Sequence, residues 1–328
     1  MRPFDYQRAA DVDSAVSVLA HTAGAEFLAG GTNLVDLMKL EVASPDVLVD
    51  VRRLTSDRIE DRGEEVRIGA SVTNSALAAD PLVRQRFPVL SQAVLAGASA
   101  QLRNLATTGG NLLQRTRCGY FQDVTTPCNK REPGSGCPAR EGYHRDHAIL
   151  GASHECVATH PSDMAVALVA LDAVVNVVGP GGSRSVPVAD LHRLPGREPQ
   201  QDTVLEHGDL ITSVDVPALG FATTSRYRKA RDRTSFAFAL ASVAAAIDVA
   251  DGVVRDVRLA LGGVAHKPWR ATSAEDALRG GPAGAEAFAR AADAELEAAE
   301  PLPDNEFKVP LVRNMIGGVL SELAGVPR

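Results

Sequence analysis

An α/β (α+β) fold class is predicted by three features of this 328-residue chain. Short β-branched runs alternate with helical spacings through its first two thirds, two glycine pairs stand where such runs meet helices, and the last third shifts to one long hairpin followed by helices.

The first helix is expected over residues 11–23, with Asp11 and Asp13 as cap candidates, Ala15, Val16, Leu19 and Ala20 at helical spacing, and Gly24 as its stop. Residues 26–29 then read as a strand running into Gly30-Gly31-Thr32-Asn33, after which residues 34–40 resume helical spacing. Residues 47–51 and 66–70 read as further strands, and residues 81–98 as one helix. A second pair sits in Ala106-Thr107-Thr108-Gly109-Gly110-Asn111. Downstream, Pro161-Ser162-Asp163 caps a helix over 164–171, followed by a strand over 173–178 and the turn 179–182. A strand over 209–216 closes this part. Asp251-Gly252 joins runs at 242–248 and 253–262 into a hairpin, and helices follow over 273–278, 283–299 and 309–324, the last stopped by Gly325. The change of pattern near residues 217–225 divides the chain into domains 1–220 and 221–328.

Composition narrows the function. A net charge of −7 and a pI near 5.7, without a basic stripe, argue against a nucleic-acid surface. No apolar run reaches the roughly 20 residues of a membrane span. No G-x-S-x-G elbow or H-E-x-x-H helix is present, so hydrolase chemistry finds no support.

All four cysteines, Cys118, Cys128, Cys137 and Cys156, fall within 39 residues that are also rich in Gly, Pro, Arg and His. A chain of this size needs no staples, and scattered structural thiols have no reason to cluster. A metal centre is therefore favoured over two disulfides or four unrelated thiols. The x9, x8 and x18 spacings lack the tight knuckle of a zinc ribbon and are compatible with an iron-sulfur cubane. His144, His147, His154 and His160 lie nearby and are expected to be solvated loop residues rather than ligands.

The glycine pairs have their own chemistry. Glycine lets the backbone approach an anion, and both turns are expected to leave amides free to cradle the phosphates of a dinucleotide. Neither matches G-x-G-x-x-G, which disfavours a Rossmann nicotinamide site. Either pair alone also reads as a tight turn.

Four segments, Ala29-Gly30-Gly31-Thr32-Asn33-Leu34, Ala106-Thr107-Thr108-Gly109-Gly110-Asn111, Pro161-Ser162-Asp163 and Tyr227-Arg228-Lys229, together resemble the FAD-binding medium subunit of the molybdenum hydroxylases, the xanthine dehydrogenase and aldehyde oxidoreductase family. About fifty residues separate Asn111 from Ser162, and this insert, at about 112–160, holds every cysteine. Its text, Arg117-Cys118-Gly119-Tyr120-Phe121 and Pro127-Cys128-Asn129 through Gly136-Cys137, is similar to the branch of periplasmic aldehyde oxidoreductases whose flavin subunit carries an extra 4Fe-4S cluster.

The resemblance implies a two-lobed FAD-binding domain of the PCMH or vanillyl-alcohol-oxidase type and a C-terminal sheet-and-helix domain of the CO dehydrogenase flavoprotein type. It implies that Phe27, Leu28, Ala29, Gly30, Gly31, Thr32, Asn33 and Leu34, with Thr107, Thr108, Gly109, Gly110 and Asn111, bind FAD at its pyrophosphate. Asp163 would bond the ribityl chain or a nearby hydroxyl, Lys229 would approach the flavin, and the four cysteines would hold the cluster. By their residues alone, Asp163 reads equally as a helix cap, and the run Arg226, Arg228, Lys229, Arg231, Arg233 as a solvated face or subunit contact.

The implied partners are a molybdenum-cofactor large subunit, a 2Fe-2S small subunit and an external electron acceptor, with aldehydes or N-heterocycles as substrates of the complex. A non-redox module with structural zinc and a stand-alone NAD(P)H flavoenzyme are the alternatives. No secretory segment opens the sequence, which leaves the cytoplasm, or the periplasm by export alongside a signal-bearing partner, as locations.

Overall fold

The computed structural model describes residues 1–327 and contains three sheets. The first is small and parallel: β1 (Asp5–Arg8), β2 (Ala25–Leu28) and β3 (Val47–Asp50), in the order β1-β3-β2. The helix Val12–His21 starts at a reciprocal Asp11/Ser14 capping box and buries Ala15, Val16 and Leu19 against Ala25, Val49 and Val51. The turn 30–33 leaves the end of β2 and enters the helix Leu34–Lys39.

The second lobe is an antiparallel sheet of β4 (Ile59–Asp61), β5 (Glu65–Gly69), β6 (Val174–Gly179), β7 (Gly182–Pro187) and β8 (Leu210–Pro217), in the order β4-β5-β8-β6-β7. Its inner face, with Val66, Ile68, Val175 and Val214, shares a core with the helices Pro88–Ala96 and Asp163–Ala170, the latter buried along its whole length. The third sheet orders β9 (Ser225–Ala230), β10 (Ala241–Ala250), β11 (Val253–Gly262) and β12 (Trp269–Arg270) as β12-β11-β10-β9, and three helices, Thr272–Leu278, Ala285–Leu296 and Lys308–Ala324, cover it through Leu278, Phe288, Val312 and Ile316. Asp251 and Gly252 both adopt positive φ, 55° and 75°, as the two-residue hairpin requires.

Three expectations are corrected. The single helix over 81–98 is two, Pro81–Arg86 and Pro88–Ala96, because Pro88 has no N–H to donate and forces Phe87 out of helical geometry. The basic run at 226–233 is only in part a solvated face: its first part is β9, whose alternation buries Tyr227 and leaves the Lys229 side chain only 3% exposed, while Arg226 and Arg228, on the other face, pair with Glu322 and stay partly exposed. Nor are the insert histidines generally solvated, since His144 and His147 are buried and only His154 is exposed.

The insert contains little regular structure beyond the helix Gly119–Gln122 and the 3-10 turn Pro138–Arg140. Such a segment can be buried only if its polar groups find partners, and buried donors supply them. Lys130 Nζ donates to Pro199 O at 2.6 Å and bonds Asp202. Asn305 Nδ2 reaches the carbonyls of His144 and His147 at 3.3 and 3.2 Å, and Lys308 Nζ donates to His147 O and Gly263 O at 2.9 and 2.8 Å. The insert is thereby fastened to both domains. No helix among the described residues is long and apolar enough to cross a membrane.

Asn305→Ala would remove one of two donors from each of these carbonyls, leaving His144 O to the His147 N–H and His147 O to Lys308, and is expected to destabilise the fold by about 1 kcal/mol, read as a lower thermal midpoint with unchanged secondary structure.

Candidate functional site

Where β2 ends, Gly30 packs so tightly that a Cβ would lie 2.0 Å from Leu105 O, and Gly31 has φ +72°. Only glycine satisfies both positions. Among the described residues, the main-chain N–H groups of Gly30, Gly31, Thr32 and Asn33 have no hydrogen-bond acceptor, so four consecutive donors remain for a ligand. They border a cleft of about 450 Å³ whose walls include Phe27, Ala29, Gly30, Gly31, Thr32, Asn33, Leu34, Thr107, Gly109 and Gly110. Leu28 is placed beneath Gly31 rather than on the wall.

The second glycine pair behaves differently. Thr108 N–H donates to Val72 O at 2.9 Å and Gly109 N–H to Ala70 O at 3.0 Å, while the Thr107 side chain caps Gly110 N–H at 3.3 Å. The expectation of free amides on both turns is therefore corrected: this turn opens a helix already bonded to the segment that follows β5. Its glycines serve close packing instead, for a Cβ on Gly109 would come within 3.2 Å of the Ala70 side chain. Thr108 is wholly buried behind them.

Thr32, Asn33 and Gly110 continue from the cleft into a narrower pocket of about 180 Å³, which Asn111, Asp163 and Lys229 line together with Asn74, Gly97, Phe236 and Phe238. Ser162 caps the helix Asp163–Ala170, donating to Asn111 Oδ1 at 2.5 Å while accepting from Ala165 N–H at 3.0 Å. Asp163 Oδ2 accepts from Lys229 Nζ at 2.8 Å and Oδ1 accepts from the Tyr227 hydroxyl. Lys229 also donates to Ala96 O at 3.2 Å. Burial, reinforced by the Asp163 carboxylate, holds the Tyr227 phenol well above its usual pKa, so it stays a donor. The pocket thus has a fixed buried charge pair at one end and the amide turn at the other. Asn74 Oδ1 and Asn33 Nδ2 are buried without protein partners, which leaves an acceptor and a donor for a polar flat ligand. Size, free amides and these orphaned groups fit a dinucleotide with a ring system, and FAD is such a molecule.

The four cysteines are free and line one small cavity together. Burial pushes the Cys118 thiol up to about 11, the Cys156 thiol up to about 12, and raises Cys137 as well. Thiols in this setting stay protonated unless a bound cation displaces the protons, as metal binding does. His147 Nε2 lies 3.1 Å from Cys118 Sγ, and burial lowers its pKa to about 4, so it is a neutral neighbour. Among the described residues, no three His, Cys, Asp or Glu side chains are close enough to share one ion.

Reading by motif quoted Tyr227 without giving it a role and missed Arg115. The first was legible from the two-residue alternation that puts it on the same face of a strand as Lys229; the second carries no local signal, because its partners lie 82 and 87 positions away.

Residues 2–219 match the family model described as the FAD binding domain in molybdopterin dehydrogenase, and residues 225–323 match the CO dehydrogenase flavoprotein C-terminal domain. The chain is 50% identical to the aldehyde oxidoreductase FAD-binding subunit PaoB of Escherichia coli strain K12, covering 98% of each. It is 28% identical to the carbon monoxide dehydrogenase medium chain of Hydrogenophaga pseudoflava, over 97% of this chain and 96% of that one. A solved structure of CO dehydrogenase from Oligotropha carboxidovorans has the same fold, with a TM-score of 0.77 at 24% identity and 99% coverage of both chains.

Lys229→Met would leave the Asp163 carboxylate buried without its cation, and a loss of about 3–5 kcal/mol is expected in chemical denaturation. His192 is fully buried and its pKa is lowered to about 4, chiefly by burial. An unfolded chain would take up a proton there near pH 6.5 that the folded chain refuses, so stability should be whole above that pH and decline as pH falls towards 4. Replacing His192 with Asn should flatten this part of the pH-stability curve.

Proposed function

Since this chain belongs to the family of FAD-binding domains in molybdopterin dehydrogenase, it is an oxidoreductase component, and we propose that it carries FAD and one 4Fe-4S cluster as the electron-transfer subunit of an aldehyde oxidoreductase-type complex. Electrons would come from the molybdenum and 2Fe-2S centres of a large and a small partner subunit and leave to an external acceptor. When bound, the flavin takes electrons singly and releases them in pairs.

The observation that carries the FAD reading is the row of free amides at Gly30, Gly31, Thr32 and Asn33, opening into a pocket closed by Asp163 and Lys229. In this reading the amides take the phosphate oxygens, with Phe27 and Leu28 leading the strand into the turn and Ala29 and Leu34 flanking it. Thr107, Gly109 and Gly110 form the opposite wall, with Thr108 buried behind it and Asn111 on the adjoining pocket, and the small side chains let the ligand lie against the backbone. Asp163 retains lone pairs for a ribityl hydroxyl, and Lys229 sets the charge beside the ring. Tyr227, wedged behind both, keeps water from the pair.

For the cluster, support comes from the meeting of Cys118, Cys128, Cys137 and Cys156 on one cavity although no three of them sit within reach of one ion. Zinc requires all its ligands on a single atom, whereas a cubane offers each thiolate its own iron. The wide cysteine spacings, without the tight knuckle of a zinc ribbon, favour the cluster over structural zinc. The 50% identity to an aldehyde oxidoreductase subunit supports aldehydes as the substrate class of the whole complex. Its compartment would follow from whichever partner carries an export signal.

Purified without exposure to air, the protein should show flavin absorbance over a broad iron-sulfur band, with about four irons per chain for one 4Fe-4S cluster. Cys128→Ser should lose the iron and keep the FAD. Zinc in place of iron, or a flavin lost together with the iron in Cys128→Ser, would count against this assignment.

A further inference from the structure

Amides alone do not neutralise a pyrophosphate, which brings two negative charges into a partly enclosed cleft. Among the described residues on the wall of the 450 Å³ cleft, Arg115 is the sole lysine or arginine, and the acidic residues there are Glu26, Glu206 and Asp209. Arg115 belongs to the insert, yet one contact ties its backbone to the amide turn and two others fix its side chain. Its own N–H donates to Asn33 Oδ1 at 2.8 Å, its Nε donates to Asp202 Oδ2 at 2.8 Å, and its guanidinium stacks over Phe121 at 4.8 Å.

The guanidinium is left incompletely used. Asp202 takes the Nε–H only, and Nη2 is buried with no partner. Asp202 is itself shared with Lys130, so it does not fully balance Arg115. Nη1 has no hydrogen-bond partner among the described residues, and Arg115 stands on the wall of the same cleft as the four free amides, where a planar guanidinium can meet phosphate oxygens.

Resting on the FAD reading above, we propose that Arg115 is a pyrophosphate-binding residue and the main electrostatic reason the chain prefers FAD to a flavin without phosphates. Asp202 and Phe121 act as its positioning residues. The insert would then contribute directly to the flavin site as well as carrying the cysteines.

The test compares FAD with riboflavin on the full chain after its flavin has been stripped, using flavin fluorescence to read affinity. Arg115→Gln should weaken FAD roughly tenfold to a hundredfold, the range of a lost charge-assisted contact, while riboflavin affinity stays the same. The salt dependence of FAD binding should flatten in the same variant. Arg115→Met, which keeps the aliphatic packing on Phe121, should behave like the Gln variant, and Arg115→Lys should fall between them and the unaltered chain. The phosphorus resonances of bound FAD should shift in Arg115→Lys. FAD affinity in Arg115→Gln and Arg115→Met within about twofold of the unaltered chain would overturn the inference and leave the FAD reading standing. Equal losses for FAD and riboflavin would overturn it too, by marking a structural role. An unaltered chain that binds no flavin would sink both.

Discussion

The interaction on which the rest depends is the buried contact of Asp163 with Lys229 and Tyr227. It joins the capped start of an N-terminal-domain helix to the first strand of the C-terminal domain. Burying two charges costs several kcal/mol each unless their partners are well placed, and here both carboxylate oxygens and the ammonium are engaged. The backbone has to yield space for this: at Gly97 a Cβ would stand 3.3 Å from Asp163 Oδ2. Lys229 also reaches Ala96 O, at the end of the helix Pro88–Ala96. One ammonium therefore fixes the distance between two helices and a strand, and the pocket enclosed by them inherits that distance.

The insert obeys the same economy on a larger scale. Around fifty residues of mostly irregular chain would expose too many unsatisfied polar groups if they were simply folded inward. They are accepted because Lys130, Asn305 and Lys308 are buried with them as donors. Lys308 shows the strain of that role, its pKa pushed down to about 7 by burial. What this arrangement achieves is contact between two sites. Leu37, from the helix that follows the amide turn, lines the cleft and packs with Phe121 and Cys128, which line the cysteine cavity, in one apolar cluster.

The two glycine pairs show how similar text acquires different work. Gly30-Gly31 ends a parallel strand and has no neighbouring strand to take its amides, whereas Gly109-Gly110 starts a helical turn against the segment just after β5 that holds Ala70 and Val72. Local sequence does not separate them, because the difference lies in which carbonyls stand opposite. The insert histidines teach the same point: polar loop composition reads as solvent-facing, and burial of His144 and His147 follows from Asn305 and Lys308, more than 150 residues away.

By itself the sequence determined the α/β class, the long hairpin with its Asp251-Gly252 turn, the Ser162 cap, and the segregation of all the thiols and both glycine turns into a few short segments. These are properties of neighbouring residues: periodicity, turn chemistry and spacing act over a few positions and survive translation into a string. The basic run that became β9, the convergence of the cysteines on one cavity, and the union of Asn33, Arg115 and Asp202 were decided only by the tertiary structure. Each depends on burial and on charges brought together from distant parts of the chain, and the energy of such contacts exists only once the core has placed them.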